Sequence, residues 1–258
     1  MIDLLDEDDS TTGSPRALID QPGPQNLIVA DWAAESVQGR QRLCNEDSWR
    51  QLGPVFVVAD GMGGLAAGDE ASRTATAAMI TEWMATETAD PASIVREVNR
   101  QVRALAGDEG ESGCTLSALR IAHDQATVVH VGDSRIYRIR GSHTELLTRD
   151  HNLRSELLAA GIIPHKSRQL GPLRALTSYL GKPDHDLQID VRSVSLRRGD
   201  RLVICSDGVS HDMAPDEFAK RVRGATARVA VEQLTSMHGT DDATAVVIDI
   251  DIDIDTER

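Results

Sequence analysis

Three separate apolar segments of this chain each end in an aspartate followed by a small residue. The aspartates and their neighbours are Asp60-Gly61, Asp133-Ser134 and Asp207-Gly208, and a fourth apolar segment begins just after Asp241-Asp242. A lone Asp-Gly pair is typical of a turn. In an antiparallel sheet, however, the end of one strand lies beside the beginning of the next, so that acids placed alike can meet at one edge. The pattern therefore predicts a shared acidic site.

This acidic cluster has the chemistry of a cation site. Carboxylates that lie close together repel one another unless cations are shared among them. The cysteines lack CxxC spacing and the histidines are scattered, whereas carboxylate and carbonyl oxygens are the ligands that Mg²⁺ and Mn²⁺ prefer. Gly61 fits this interpretation, because its carbonyl can approach a metal without a side chain in the way. We therefore expect divalent cations at these strand ends.

The charge balance limits the partners of the chain. Asp and Glu outnumber Lys and Arg 41 to 27, for a net charge of −14. Such a chain repels nucleic-acid backbones and anionic lipid, so we expect neither nucleic acid nor a membrane as a partner. No basic segment followed by an apolar core opens the sequence, and its longest apolar stretch, Val55 to Ala59, is too short to cross a bilayer. These features predict a cytoplasmic protein.

The organisation of the chain predicts one domain behind a tail. Residues 1–26 mix acids with Ser, Thr, Gly and Pro, which predicts a flexible acidic tail, and residues 27–258 then form the domain. Short β-branched runs predict strands, and two successive helices are predicted over Gly68–Met84 and from Pro91 to about Ala106.

Residues 150–186 lack sustained periodicity and predict a flap-like functional excursion. Four basic residues there are candidates to face a substrate or solvent: Arg154, Lys166, Arg168 and Arg174. His151, at the start of the excursion, is expected in a helix-capping or structural role.

Seven motifs in order carry a family resemblance from about Leu27 to Ile250. They are Arg42-Leu-Cys-Asn-Glu46-Asp47, Val-Val-Ala-Asp60-Gly61-Met-Gly-Gly, Ser-Gly113-Cys-Thr115, Val131-Gly-Asp133-Ser-Arg-Ile-Tyr, Leu147-Thr-Arg-Asp-His151, Cys-Ser-Asp207-Gly208 and Thr240-Asp-Asp-Ala-Thr244. This series resembles the metal-dependent serine/threonine protein phosphatases of type 2C, bacterial type. The resemblance implies an α+β fold, a four-layer α-β-β-α sandwich with two mainly antiparallel central sheets flanked by helices.

The resemblance also implies roles for the acids. Asp60 would bridge two Mn²⁺ or Mg²⁺ ions, and the Gly61 carbonyl, Asp207 and Asp241 would complete the ligands. Glu46 and Asp47 would act partly through water, and Asp133 would hold a third ion together with Asp207. Metal-bound water is activated for in-line attack on phosphorus, with no phosphoenzyme. Arg42 would grip the phosphate through its planar fork.

The predicted function is metal-dependent hydrolysis of phosphoserine and phosphothreonine in proteins. The expected partner is a phosphorylated protein, such as a Ser/Thr kinase or its targets, or more narrowly an anti-sigma-factor antagonist. The alternative is a pseudophosphatase or phosphoprotein-binding module without hydrolysis. Two departures from the family pattern bear on the choice: animal relatives have a histidine, a proposed proton donor, where this chain has Met62, and the usual Asp-Asn is Asp241-Asp242. The second carboxylate would alter metal affinity or offer another ligand.

Overall fold

The computed structural model describes most of the domain. It covers residues 27–62, 68–86, 88–105, 113–163, 171–210, 213, 215–236 and 239–252. The predicted tail, residues 1–26, lies outside these ranges, as do Lys166 and Arg168. The predicted division into tail and domain therefore stays a prediction.

Ten strands and six α-helices make up the described part of the chain. The strands are β1 Leu27–Val37, β2 Asp47–Leu52, β3 Val55–Asp60, β4 Leu116–Ala122, β5 Gln125–Val131, β6 Arg135–Arg140, β7 His143–Leu146, β8 Asp190–Ser195, β9 Arg201–Cys205 and β10 Ala243–Ile252. The helices are α1 Gly68–Ala85, α2 Pro91–Arg103, α3 Leu153–Ala159, α4 Asp207–Ser210, α5 Pro215–Val222 and α6 Ala227–Thr235, with 3₁₀ turns at Gly171–Arg174 and Asp184–Asp186.

The strands form two five-stranded antiparallel sheets. Sheet I has the order β1-β10-β9-β6-β7, and sheet II has the order β2-β3-β4-β5-β8. The chain passes from sheet II to sheet I at the short β5–β6 connection and returns at β8. At the β5–β6 connection, the end of a sheet II strand lies beside the start of a sheet I strand. Strand ends of both sheets therefore meet at this edge of the fold.

Strand β3 shows how the layers are stacked. Val55 and Val57 are fully buried against α1 and α2, whereas Phe56 and Val58 are fully buried between the two sheets. Such burial on both faces explains why this strand reads as a continuous apolar run rather than an alternating one. On the far side of sheet I, Val203 and Val247 pack against the apolar faces of α5 and α6. The predicted four-layer α-β-β-α sandwich is confirmed.

Strand β10 alternates isoleucine with aspartate from Ile248 to its end at Ile252, and the two residue types face opposite sides. Ile248 and Ile250 are buried between the sheets, while Asp249 pairs with Arg201 and Asp251 with Arg198 at the surface. Residues beyond Ile252 lie outside the described part.

Strands β2 and β7 and helix α4 have no clear signal in the sequence. Strands β2 and β7 lie at sheet edges, where one side is open and polar residues are tolerated, so that their sequences lack a clear apolar pattern. The four-residue helix α4 starts at Asp207 itself, two residues after the end of β9. Within the described residues, no helix is long and apolar enough to cross a membrane.

Candidate functional site

The predicted acids come from both sheets and meet at one edge of the sandwich. Asp60 ends β3 and pairs in register with Asp47, the first residue of β2. Asp207 begins α4 just after β9, and Asp241 precedes β10, so these two flank strands of sheet I. Asp133 lies in the connection between the sheets. The prediction that the strand-end acids converge is therefore confirmed by the fold.

A small cleft of about 150 Å³ opens between these strand ends. Its wall is formed by the acids together with two arginines and small or apolar side chains: Arg42, Asp60, Gly61, Met62, Thr115, Asp133, Arg174, Leu176, Asp207 and Asp241. Glu46 and Asp47 do not line the cleft, but Glu46 contacts Arg42, and Asp47 pairs in register with Asp60. The volume of the cleft suits a phosphate group with its counter-ions.

The electrostatics of the cleft favour cations. Burial and the neighbouring charges of Asp47, Asp207 and Asp133 raise the pKa of Asp60 well above its ordinary range. Burial, followed by the charges of Asp207 and Asp150, raises the pKa of Asp133 to about 8. These acids raise one another's pKa because their charges are desolvated and close together. A bound divalent cation would remove this repulsion.

The hydrogen bonding of Asp47 also favours a bound cation. Its carboxylate accepts a 2.8 Å hydrogen bond from Ser206 through Oδ2, whereas Oδ1 is buried without a partner among the described residues. Burial raises the pKa of Asp47 to about 7, although its hydrogen bonding lowers it. A buried, unpaired carboxylate oxygen is costly in a folded protein. The all-oxygen donor set and this orphaned atom fit Mg²⁺ or Mn²⁺.

Arg42 is held at the mouth of the cleft by two acids. Its Nη1 donates to Glu46 at 2.8 Å, and its Nε and Nη2 both donate to Asp241 Oδ1, at 2.9 and 2.5 Å. Arg174, the last residue of the 3₁₀ turn Gly171–Arg174, donates from Nη2 to Asp207 Oδ2 at 2.9 Å. Within the described residues, no group of three or more acidic, histidine or cysteine side chains is placed so that it could hold a metal ion as it stands. The individual ligand roles therefore stay a prediction.

Glycines let the backbone of the site close tightly. A methyl group on Gly61 would overlap the carbonyl oxygens of Gly68 and Glu46, and one on Gly208 would overlap that of Asp242. From the sequence, the expected reason for a glycine at position 61 is that a metal can approach its carbonyl. The structure adds that the space beside its α-carbon is filled by the start of α1 and the end of the β1–β2 loop.

The comparisons with known proteins agree with this geometry. The family model for protein phosphatase 2C matches residues 38–240. The chain belongs to the protein phosphatase 2C family.

Individual relatives are similar to this chain over most of its length, not only in the motifs. The serine/threonine phosphatase stp of Listeria welshimeri is 30% identical over 233 residues, which are 82% of this chain and 92% of the relative. Among solved structures, the PPM Ser-Thr phosphatase MsPP from Mycobacterium smegmatis in complex with cacodylate is 34% identical, with a TM-score of 0.78 over 86% of this chain and 98% of MsPP.

A second solved structure carries metal. The catalytic domain of the serine/threonine protein phosphatase PstP, in complex with two manganese ions, is 28% identical, with a TM-score of 0.76 over 87% of this chain and 99% of that domain. The predicted enzyme class, a metal-dependent serine/threonine protein phosphatase, is confirmed by this membership. The alternative of a pseudophosphatase is not favoured by these relatives.

Residues that hold this phosphatase 2C site in place were not assigned a role from the sequence. The backbone amide of Asp60 donates to Thr115 Oγ1 at 3.0 Å, and Thr115 Oγ1 lies 2.6 Å from Ser134 Oγ, beside Asp133. The only signal was that Thr115 and Ser134 fall within two of the quoted motifs. A short buried hydroxyl pair thus links the two loops that carry Asp60 and Asp133.

His151 has the structural role that was expected, but it does not cap a helix. Its Nδ1 accepts a 3.2 Å hydrogen bond from the Gly132 amide, and its own amide donates to the Gly132 carbonyl at 2.7 Å. The cap of α3 is Asn152, whose side chain accepts from the Ser155 amide. His151 therefore fixes the turn that carries Asp133.

Proposed function

We propose that this phosphatase binds the phosphate of phosphoserine or phosphothreonine in the cleft between the two sheets. The observation that carries the proposal is that acids from both sheets and the Arg42 guanidinium line one phosphate-sized cleft. Cacodylate, the ligand of the MsPP structure, is a tetrahedral oxyanion, as phosphate is. The physiological substrate is then a phosphoprotein whose modified side chain projects from its surface.

Arg42 would bind the phosphoryl oxygens. Three of the five N–H groups of a guanidinium are used by Glu46 and Asp241. One N–H on each terminal nitrogen is left, and this pair matches two oxygens of a phosphate. The two acids therefore orient the fork without saturating it.

Asp60, Asp207, Asp241 and the Gly61 carbonyl would hold two Mn²⁺ or Mg²⁺ ions, and Asp133 with Asp207 a third. Glu46 and Asp47 would support them partly through water. When bound, such ions activate a water molecule for attack on phosphorus and offset charge on the phosphoryl oxygens. Arg174 shares Asp207 with the predicted third ion, so the flap-like excursion would influence that ion's occupancy.

The proposal also covers where the enzyme acts and on which proteins. Phosphoserine and phosphothreonine are made by ATP-dependent kinases, so we place the phosphatase in the cytoplasm, acting on a Ser/Thr kinase or its targets.

Hydrolysis of p-nitrophenyl phosphate tests the proposal directly. Activity should require Mn²⁺ or Mg²⁺, disappear with a chelator, and be abolished by Asp207→Asn. Asp251→Asn is the matched control, because it removes a carboxylate at the far end of β10, where Asp251 pairs with Arg198 and accepts a hydrogen bond from the Ile252 amide. Absence of turnover with every divalent ion tried would overturn the proposal.

A further inference from the structure

Asp242 lies beside Asp241 in sequence but faces away from the cleft. Asp241 lines the cleft, whereas Asp242 is only 3% exposed and does not belong to the lining. The Asp242 amide donates to Asp241 Oδ1 at 2.9 Å, next to the bend that precedes β10. The two carboxylates therefore have different surroundings.

The carboxylate of Asp242 accepts hydrogen bonds from both ends of one loop. Oδ1 accepts from the Gly39 amide and Oδ2 from the Glu46 amide, each at 2.8 Å. Residues 39–46 make up all but the first residue of the connection from β1 to β2, and they contain Arg42. Both oxygens are thus used on backbone donors, and both bonds are charge-assisted, which makes them stronger than neutral ones.

The carbonyl groups of Gly39 and Glu46 accept further hydrogen bonds. The Gly61 amide donates to the Glu46 carbonyl at 3.0 Å, and the Arg42 amide donates to the Gly39 carbonyl at 3.1 Å. Arg42 then reaches Glu46 and Asp241 through its side chain. Fixing Gly39 and Glu46 therefore fixes the direction from which Arg42 enters the cleft.

We propose that Asp242 is a positioning residue that anchors both ends of the 39–46 loop, so that Arg42 and Glu46 face the cleft, and that it is not a metal ligand. This inference rests on the proposed function for Arg42. It assigns the second carboxylate of the Asp241-Asp242 pair to the backbone of the loop.

A carboxylate suits this task better than an amide. An asparagine side chain has one acceptor oxygen, and its NH₂ group would point at the second backbone N–H. The charge of Asp242 has a cost, since it raises the pKa of Asp47 and of Glu46, after the larger effect of burial in each case. Two hydrogen bonds to buried or half-buried amides offset that cost.

Amide exchange and kinetics of Asp242→Asn test the inference, with Asp251→Asn as the charge-matched control. In the Mn²⁺-loaded wild type, the Gly39 and Glu46 amides should be protected from exchange although they lie in a loop. In Asp242→Asn, both should exchange about tenfold faster. KM for p-nitrophenyl phosphate should rise about tenfold, more than the Mn²⁺ concentration for half-maximal activity does.

The contrary results are equally distinct. Unprotected Gly39 and Glu46 amides in the wild type would overturn the inference even if the variant failed to fold. Unchanged exchange with an Mn²⁺ requirement raised about tenfold would make Asp242 a metal ligand instead. An inactive wild type with protected amides would reject the proposed function and leave the anchoring itself supported.

Discussion

Arg42 is the residue on which phosphate recognition depends. Burial alone would lower the pKa of its guanidinium, but the hydrogen bond to Asp241 and the charges of Asp241 and Glu46 raise it. The side chain is therefore a permanent cation, and its two acids keep the planar fork in one orientation. A pre-oriented fork loses less side-chain entropy when it binds an anion than a mobile one does.

Replacing Arg42 by lysine should show what the fork contributes. Lysine keeps the charge but offers a single ammonium group, so at least one charge-assisted hydrogen bond to the phosphate is lost. We expect kcat/KM for p-nitrophenyl phosphate to fall about 10- to 100-fold, the equivalent of roughly 1.5–3 kcal/mol. Arg50→Lys, at an exposed position on β2, is the control. Equal kcat/KM for wild type and Arg42→Lys would show that the fork does not contact the phosphate.

At the scale of elements, the site depends on how closely the end of β3 meets α1. Gly61 follows β3, donates its amide to the Glu46 carbonyl at 3.0 Å, and forms a bridge to Cys114. Its α-carbon has no room for a methyl group, because the Gly68 carbonyl at the start of α1 fills that space. A side chain here would push the Asp60 loop away from its neighbours.

Gly61→Ala should therefore damage both stability and activity. The overlap falls on backbone atoms, which cannot rotate away, so we expect a loss of about 1–3 kcal/mol in the free energy of unfolding. A displacement near 1 Å at Asp60 would lower kcat by roughly 100-fold. Gly239→Ala is the matched control, since a methyl group there meets no atom within 4 Å among the described residues. Urea unfolding and steady-state kinetics measure the two effects, and equal values for both variants would contradict this account.

The elements also show what the sequence can and cannot predict. Strand β3 and the acids at strand ends were predictable, because continuous β-branched runs and terminal Asp-Gly pairs are local signals. Strand β2 was not predictable, because it is a polar edge strand that becomes a strand through its pairing with β3 rather than through its own sequence. The contact between Arg174 and Asp207 joins residues 33 positions apart. Such a contact depends on the path of the whole excursion, which no local pattern encodes.

At the scale of the whole molecule, the acidic site exists only when the two sheets have come together. Sheet II supplies Asp47 and Asp60, sheet I supplies Asp207 and Asp241, and Asp133 lies between them. Assembly of the sandwich therefore buries carboxylates that repel one another, and without cations this repulsion opposes folding. Metal binding should reverse the effect, because ions that bind only the folded state stabilise it.

Thermal unfolding of wild type and Asp60→Asn, with chelator and with Mn²⁺, tests this central claim most directly. Asp60 has a raised pKa, so accommodating this carboxyl in the folded state at neutral pH costs free energy, and the asparagine variant should melt above wild type in chelator. With Mn²⁺ at about 100 times Kd, wild type should gain about 2.7 kcal/mol, or roughly 5–10 °C in Tm, and the variant much less. Asp251→Asn should follow wild type in both conditions. If Asp60→Asn melts below wild type in chelator and gains as much from Mn²⁺, the acids are not held together for cations.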